Sequence, residues 1–364
     1  MFEIMGQEGN TPTVSVIGVG GCGCNALALL EPGQNATIQL YNVNTDAAAL
    51  AHCNQGESVL IGKELTNGYG AGADPDVGKQ AAEESKSTLR AIIESADVVL
   101  LTTGLGGGTG TGSTPVLAKL ADELGKPCIV VATLPFASEG QMRTNYAQQG
   151  IERMYETECS LVTFPNDNLI QALGATVGIF DAFTHSNDML KRIITSLVQM
   201  LTDIGYLNID LNDFSKVMRS PGEAVLGIGH CEEEEHIDTA LEQALFNPLV
   251  NNVDLNTATG VIIQVNCREQ ITLGNWERLT GNIRDKVSPL AIIVCGIASV
   301  PDQQYGVEIL VMATGAQRSH KHESRANTAP ATQSEVEHVE SQELSSDNIL
   351  DIPTFLCEQS GKAD

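Results

Sequence analysis

The chain has 364 residues, with 46 Asp and Glu against 20 Lys and Arg, and a formal net charge of −26 at pH 7. That length accommodates two sizeable cores and a tail, and the charge argues against duplex nucleic acid or anionic lipid as a direct partner, because both would be repelled. No run of about 18 apolar residues occurs and Met1-Phe2-Glu3-Ile4 is not a basic leader, so neither a membrane span nor a signal peptide is expected and the chain reads as cytoplasmic; its nine scattered cysteines fit reduced thiols better than a disulfide framework.

Residues 1–12 are polar and expected to be loose. Val14-Ser15-Val16-Ile17 reads as a first strand running into Gly18-Val19-Gly20-Gly21-Cys22-Gly23-Cys24-Asn25, after which residues 26–30 look helical. A second strand over residues 38–43 ends at Asn44-Thr45-Asp46. The spacing Gly18-x-Gly20-x-x-Gly23 between strand and helix, with an acid at the tip of the next strand, is the dinucleotide-binding (Rossmann) pattern and points to a nicotinamide-dependent oxidoreductase as one reading. Another glycine-bearing stretch, Asn67-Gly68-Tyr69-Gly70-Ala71-Gly72-Ala73-Asp74-Pro75, precedes a helix expected over residues 79–95.

The densest glycine run comes next. Val98-Val99-Leu100-Leu101 reads as a buried strand, Gly106-Gly107-Gly108-Thr109-Gly110-Thr111-Gly112 as a loop, and residues 113–121 as a helix. Glycines let backbone amides approach a ligand unobstructed, and the following helix points its positive end at the same place, which together make an anion cradle. The plainer alternative is a flexible loop, which the strand-loop-helix context disfavours; no Gly-x-x-x-x-Gly-Lys-Ser/Thr is present, so this is not the lysine-bearing P-loop. With a further apolar strand at residues 128–132, alternating strands and helices imply a parallel sheet covered on both faces, and ligands sit at the carboxyl ends of such strands.

An apolar-periodic run from about residue 178 to 204 predicts one long helix, able to join two domains. Directly after it, Asn208-Ile209-Asp210-Leu211-Asn212-Asp213 places two carboxylates three apart; read on its own, Asp213 or Asn212 would cap a helix over residues 214–218. Residues 223–316 read as a further α/β unit, with strands near 260–265, 291–295 and 307–311 and helices over 237–245 and 276–287. The acid run 232–235 reads as a solvated helix start. From residue 317 the composition turns to Ser, Thr, His, Glu and Gln, which cannot offset ordering entropy and predicts a disordered linker. The cluster Ile349-Leu350-Asp351-Ile352-Pro353-Thr354-Phe355-Leu356 at its end reads as a partner-docking peptide, or as a tail packed on its own domain.

The run at 106–112, with Asn44-Thr45-Asp46, Gly70-Ala71-Gly72-Ala73, Pro165-Asn166-Asp167 and residues 208–213 in that order, resembles the tubulin/FtsZ family of GTPases, over residues 13–316 and the terminal peptide. The resemblance implies a Rossmann-like parallel-sheet GTP-binding domain joined by a long central helix to a smaller α/β domain, with a disordered C-terminal tail. It implies GTP and GDP as ligands, with Gly21, Cys22, Asn25, Ala71, Gly72, Gly107, Gly108, Thr109 and Gly110 on the phosphates, Glu139 and Arg143 near the ribose and phosphate, and Asn166, Phe183, Asn187 and Asp188 on the ribose and guanine. An aromatic face can stack on a purine, and a carboxylate can accept from the guanine N1 and N2 hydrogens. Read without the family, Phe183 would be ordinary core and Asp188 a solvated helix residue.

The resemblance further implies that Asn208, Asp210 and Asp213 act on the nucleotide of the neighbouring subunit, with Mg²⁺ held by phosphates and waters rather than by dedicated protein ligands. A head-to-tail homopolymer at the midcell division ring then follows. Leu350, Asp351, Ile352, Pro353, Phe355 and Leu356 would bind membrane adaptors of the FtsA/ZipA type, with no direct membrane insertion and no nucleic acid. The sequence departs from the family at Cys22 and Cys24, at Leu134 where relatives commonly carry lysine, and in the non-basic Cys357-Glu358-Gln359. Those departures leave room for a paralogue with weak turnover that modulates division. Thiols at a helix start would also have lowered pKa values and oxidise readily; a Cys-x-Cys metal site has no matching Cys or His pair nearby. The expected organisation is a flexible start at 1–12, a GTP-binding domain at 13–177, the central helix and catalytic loop at 178–222, an α/β domain at 223–316, a linker at 317–346 and a terminal peptide at 347–364.

Overall fold

A computed structural model describes residues 11–30, 37–174, 176–202, 205–219, 223–245, 253–301 and 303–318. The elements are β1 (Val14–Val19), α1 (Gly20–Ala28), β2 (Ile38–Asn44), α2 (Ala47–Ala51), β3 (Glu57–Leu60), α3 (Lys63–Thr66), α4 (Pro75–Glu84), α5 (Lys86–Glu94), β4 (Val98–Gly104), α6 (Thr109–Glu123), β5 (Cys128–Leu134), α7 (Gln141–Met154), β6 (Ser160–Pro165) and α8 (Asn168–Leu173). There follow α9 (Ile179–Thr202), α10 (Leu211–Met218), β7 (Glu223–Cys231), α11 (Ile237–Leu245), β8 (Val253–Asp254), β9 (Gly260–Cys267), α12 (Leu273–Arg284), β10 (Ile292–Ser299) and β11 (Val307–Arg318).

The apolar strands form one sheet in the order β3-β2-β1-β4-β5-β6-β7-β11-β9-β10, with β8 pairing the end of β11. From β3 to β7 every pairing is parallel. β11 is antiparallel to both its neighbours, and β9 and β10 run parallel. Strand β1 shows why such strands read as unbroken apolar runs: Val14 and Val16 face the layer of α1 and α9, Ile17 and Val19 face the layer of α4 to α7, and all four are fully buried.

β6 and β7 meet through one register pair, Leu161 with Glu223. The strands after β7 have a core of their own against α11 and α12, built on Ile237, Leu241, Leu279 and Ile283. On the other face of β7, β9 and β11, Leu226, Ile262, Leu310 and Met312 share a single core with α9, α10 and β1. The α/β region after residue 222 is thus joined to the parallel region by a continuous apolar layer under α9 as well as by the sheet.

Several boundaries differ from expectation for identifiable reasons. The helix expected over 79–95 is two helices broken at Ser85, whose hydroxyl accepts from the Gly62 amide (3.1 Å); the first starts at Pro75, capped by the Asp74 carboxylate. The glycine loop ends at Gly108, and Gly110 and Gly112 lie inside α6. A Cβ on Gly112 would stand 2.0 Å from the Pro75 carbonyl oxygen, and one on Gly110 2.5 Å from that of Gly104, so these glycines serve close packing rather than looseness. β11 continues to Arg318, later than the start expected for the linker. The rest of that linker, the terminal peptide at 347–364 and residues 1–10 lie outside the described residues.

Candidate functional site

The parallel strands β1 to β6 deliver their carboxyl ends to one edge of the sheet, and the glycine-bearing loops gather there. Helices α1 and α6 both start at this edge without a side-chain cap, leaving the amides of their first turns to another acceptor. The two starts adjoin: Gly20 has φ +73°, and a Cβ on it would lie 3.0 Å from the Gly110 nitrogen. Gly21, Gly72 and Gly107 front open space, with nothing within 4 Å of where a Cβ would be, while Gly108 packs against Ala71 and Asp74. Asn25 is exposed and Ala71 is buried. The Thr45 and Thr109 hydroxyls share a hydrogen bond of 2.7 Å that ties the tip of β2 to the start of α6. Nothing in the sequence reading singled out that pair; its signal is a hydroxyl residue at each of two loop tips that a parallel sheet brings together.

The acid expected to face a ribose, Asp46, instead caps α2 by accepting from the amides of Ala48 and Ala49. Beyond β5, Glu139 accepts from the Phe136 amide at 2.9 Å and from the Arg143 guanidinium at 2.8 Å, so this acid and base form one unit. The backbone of Arg143 lies against Gly106, which has φ +97°. Asn166, half-buried at the end of β6, donates its amide to the Leu134 carbonyl. In the first turns of α9, Asp188 is exposed, Asn187 is half-buried, and Phe183 is 41% exposed with its ring edge-on to Phe136 at 5.6 Å. A large apolar ring held in place yet left open is suited to stacking on a planar ligand.

At Cys22 and Cys24 burial acts against the lowered pKa expected of thiols at a helix start. Burial pushes the Cys22 thiol up, opposed by its 3.4 Å contact with the Thr133 hydroxyl, and pushes Cys24 up to about 12. Desolvation of the thiolate thus opposes the effect of the positive end of α1 at both positions.

The second candidate group sits at the other end of α9. That helix has 24 residues, which spans about 36 Å at 1.5 Å per residue. Beyond the helix, Leu207 makes a two-way backbone pair with Ile297 of β10, just before the 208–213 stretch. Asn208 accepts from the Gly205 amide at 2.6 Å, and all three expected residues are solvent-facing: Asn208, Asp210 and Asp213. The cap of α10 is Asp210, not Asp213 or Asn212, because the helix begins one turn earlier, at Leu211; one Asp210 oxygen accepts from the Asn212 amide. Asp213 pairs with Lys216 at 3.0 Å. The structure therefore brings the residues of the strand tips and the start of α9 together at one edge and leaves these carboxylates at the opposite one.

Comparison with known proteins agrees along the chain. Residues 13–174 match the tubulin/FtsZ family GTPase domain and residues 222–317 the FtsZ family C-terminal domain. The cell division protein FtsZ of Wigglesworthia glossinidia brevipalpis is 36% identical over 86% of this chain and 82% of its own length, and FtsZ 1 of Pyrococcus furiosus is 37% identical over 83% and 80%. An empty FtsZ dimer from M. jannaschii superposes with a TM-score of 0.79 at 32% identity, covering 88% of this chain and 96% of that one. CetZ2 from Haloferax volcanii, at 22% identity and a TM-score of 0.72, shares the fold. Two uncapped helix starts at the edge of a parallel sheet, the family's glycine run between them, and this likeness over most of the chain's length lead to one conclusion: the chain belongs to the FtsZ family of tubulin-like GTPases.

Proposed function

We propose that the chain binds GTP at the β1, β4 and β5 loop edge and hydrolyses it to GDP and phosphate only when a second copy presents its 208–213 loop. One observation supports this reading: α9, about 36 Å long, runs from the edge that holds the uncapped starts of α1 and α6 towards the exposed 208–213 loop. The phosphates would lie on the first-turn amides of α1 and α6, in the space left at Gly21, Gly72 and Gly107, with Cys22, Asn25, Ala71, Gly108, Thr109 and Gly110 around them. Arg143, braced by Glu139, would reach the ribose and phosphate side, and Asn166 the ribose. Phe183 would stack on guanine, with Asn187 and Asp188 reading its polar edge.

The carboxylates nearest the loops are engaged, Asp46 and Asp74 as helix caps and Glu139 on Arg143, which fits a Mg²⁺ held by phosphate oxygens and water. When bound there, that ion supplies charge neutralisation on the phosphates. Asp210 uses one oxygen as a cap and keeps the other free to polarise an attacking water on the neighbour's nucleotide; Asp213 and Asn208 stand beside it. A contact between unlike faces does not close on itself, so it propagates as a filament. The filament would form the division-ring scaffold at midcell, recruited through residues 350–356 to adaptors of the FtsA/ZipA type.

The test is phosphate release from GTP as a function of protein concentration, with sedimentation alongside. Activity per subunit should rise steeply where polymer appears and vanish on dilution. Undiminished turnover by dilute monomers would remove the shared site.

A further inference from the structure

Away from both ends, the middle of α9 is held by a polar cluster that the reading above does not use. Glu308 on β11 accepts from Arg192 through one carboxylate oxygen and from Ser196 through the other, each at 3.3 Å. The Arg192 guanidinium also lies 5.5 Å from the centre of the Tyr305 ring, and the His230 ring stacks on Tyr305 at 3.7 Å. Glu308 and His230 are register partners on β11 and β7. The Glu308 side chain is 18% exposed, Ser196 is buried, and the cluster walls a cleft of about 430 Å³ between α9 and the strands after residue 222.

The opposite side of α9 packs through Leu190, Ile193, Ile194, Leu197, Val198 and Leu201. Such apolar contact is strong but non-directional, and a hydrogen-bonded carboxylate adds a directional restraint to it. A carboxylate gripping two side chains one helical turn apart fixes both the rotation and the height of the helix. Arg192 is one turn beyond Asp188, and Ser196 is within two turns of the end of α9.

We propose that Glu308 is a positioning residue for turnover: through Arg192 and Ser196 it sets the axial register of α9, and so the distance between the nucleotide edge and the 208–213 loop of each subunit. This rests on the GTPase reading. Because the loop would act on a neighbouring subunit, an error in its height is carried into the shared site, whereas the phosphate-facing amides belong to α1 and α6 and do not move with α9.

The experiment uses the full chain with Glu308→Ala, Glu308→Gln, Arg192→Glu and the exchanged pair Arg192→Glu with Glu308→Arg. Affinity for a fluorescent GTP analogue, phosphate release at saturating GTP and melting temperature are read for each. Glu308→Ala should lower saturated turnover by about tenfold while leaving nucleotide affinity within about threefold, because sub-ångström misplacement acts on the reacting geometry rather than on binding. The exchanged pair should recover most of the loss seen in Arg192→Glu. Wild-type turnover in Glu308→Ala, or losses that follow melting temperature with no recovery in the exchanged pair, would overturn the proposal. Should Glu308→Ala not fold, Glu308→Gln decides, since it keeps the shape and removes the charge facing Arg192; unchanged turnover there counts against the clamp. Hydrogen exchange of residues 205–213 needs no nucleotide: it should quicken in Glu308→Gln, and unchanged exchange rejects the clamp. Failure of the GTPase reading shows separately, as a wild-type chain that releases no phosphate.

Discussion

The two ends of α9 solve the same problem, holding polar groups ready in water, by opposite means. At the strand-tip edge the groups proposed to meet a ligand are backbone amides, left without a side-chain acceptor because α1 and α6 carry no such cap, with open space at Gly21 and Gly107. At the far end they are side chains, each already satisfied locally: Asp210 as a helix cap, Asp213 on Lys216, Asn208 on the Gly205 amide. A backbone site is destroyed by adding an atom, and a side-chain site by removing one.

That contrast can be tested by substitution, beginning where the packing is tightest. Gly23→Ala would put a methyl 2.2 Å from the Thr102 carbonyl and Gly112→Ala one 2.0 Å from the Pro75 carbonyl. Each should cost about 3 kcal/mol by overpacking, seen as a lower urea midpoint. At the other end, Asp210→Asn keeps an equally good cap, so its unfolding should match the wild type while turnover falls about 100-fold; Asp210→Ala should lose that activity and about 1 kcal/mol of stability as well. If Asp210→Asn stayed active, the cap would be the residue's whole role.

Gly107→Ala sharpens the comparison from the opposite direction. Its methyl meets no protein atom, so stability should hold within about 0.5 kcal/mol. GTP affinity, measured by fluorescent-analogue titration, should nevertheless drop about tenfold as the methyl enters the phosphate space. Phe183→Ala should cost about 1 kcal/mol of guanine binding, visible in the same titration.

The smallest effect concerns the polar cluster. Burial and the Arg192 charge hold the His230 pKa below its ordinary value, against Glu308 and Glu232, which raise it. A depressed base stabilises the fold above its unfolded pKa, and that contribution is lost as pH falls below about 6.5 towards the folded value. Thermal melts should therefore show a small destabilisation on acidification that His230→Phe, which retains the stacking on Tyr305, flattens.

Much of this was legible in the sequence because strand tips in a parallel sheet must gather, so three glycine-bearing loops separated by apolar strands already specify one edge. The long period of α9 was equally plain. What the sequence hid were contacts between distant segments. Gly110 and Gly112 look like loop glycines until α4 is seen against them, and Asp46 looks like a ribose ligand until it is found capping α2. The choice between Asp210 and Asp213 as cap turned on a single helical turn, which periodicity cannot fix. The direction of the Cys22 and Cys24 shifts needed the packing around α1, since an N-terminal helix position and burial act in opposite senses.

The backbone pair between Leu207 and Ile297 means that the 208–213 loop is fastened to the outermost strand of the far half of the sheet rather than to its parallel half. Asn208 and Asp210 follow that pair by one and three residues, so their placement is tied to the position of β10. In the proposed shared site, the posture of the far half of the sheet would thereby set how those side chains are offered to a neighbouring copy.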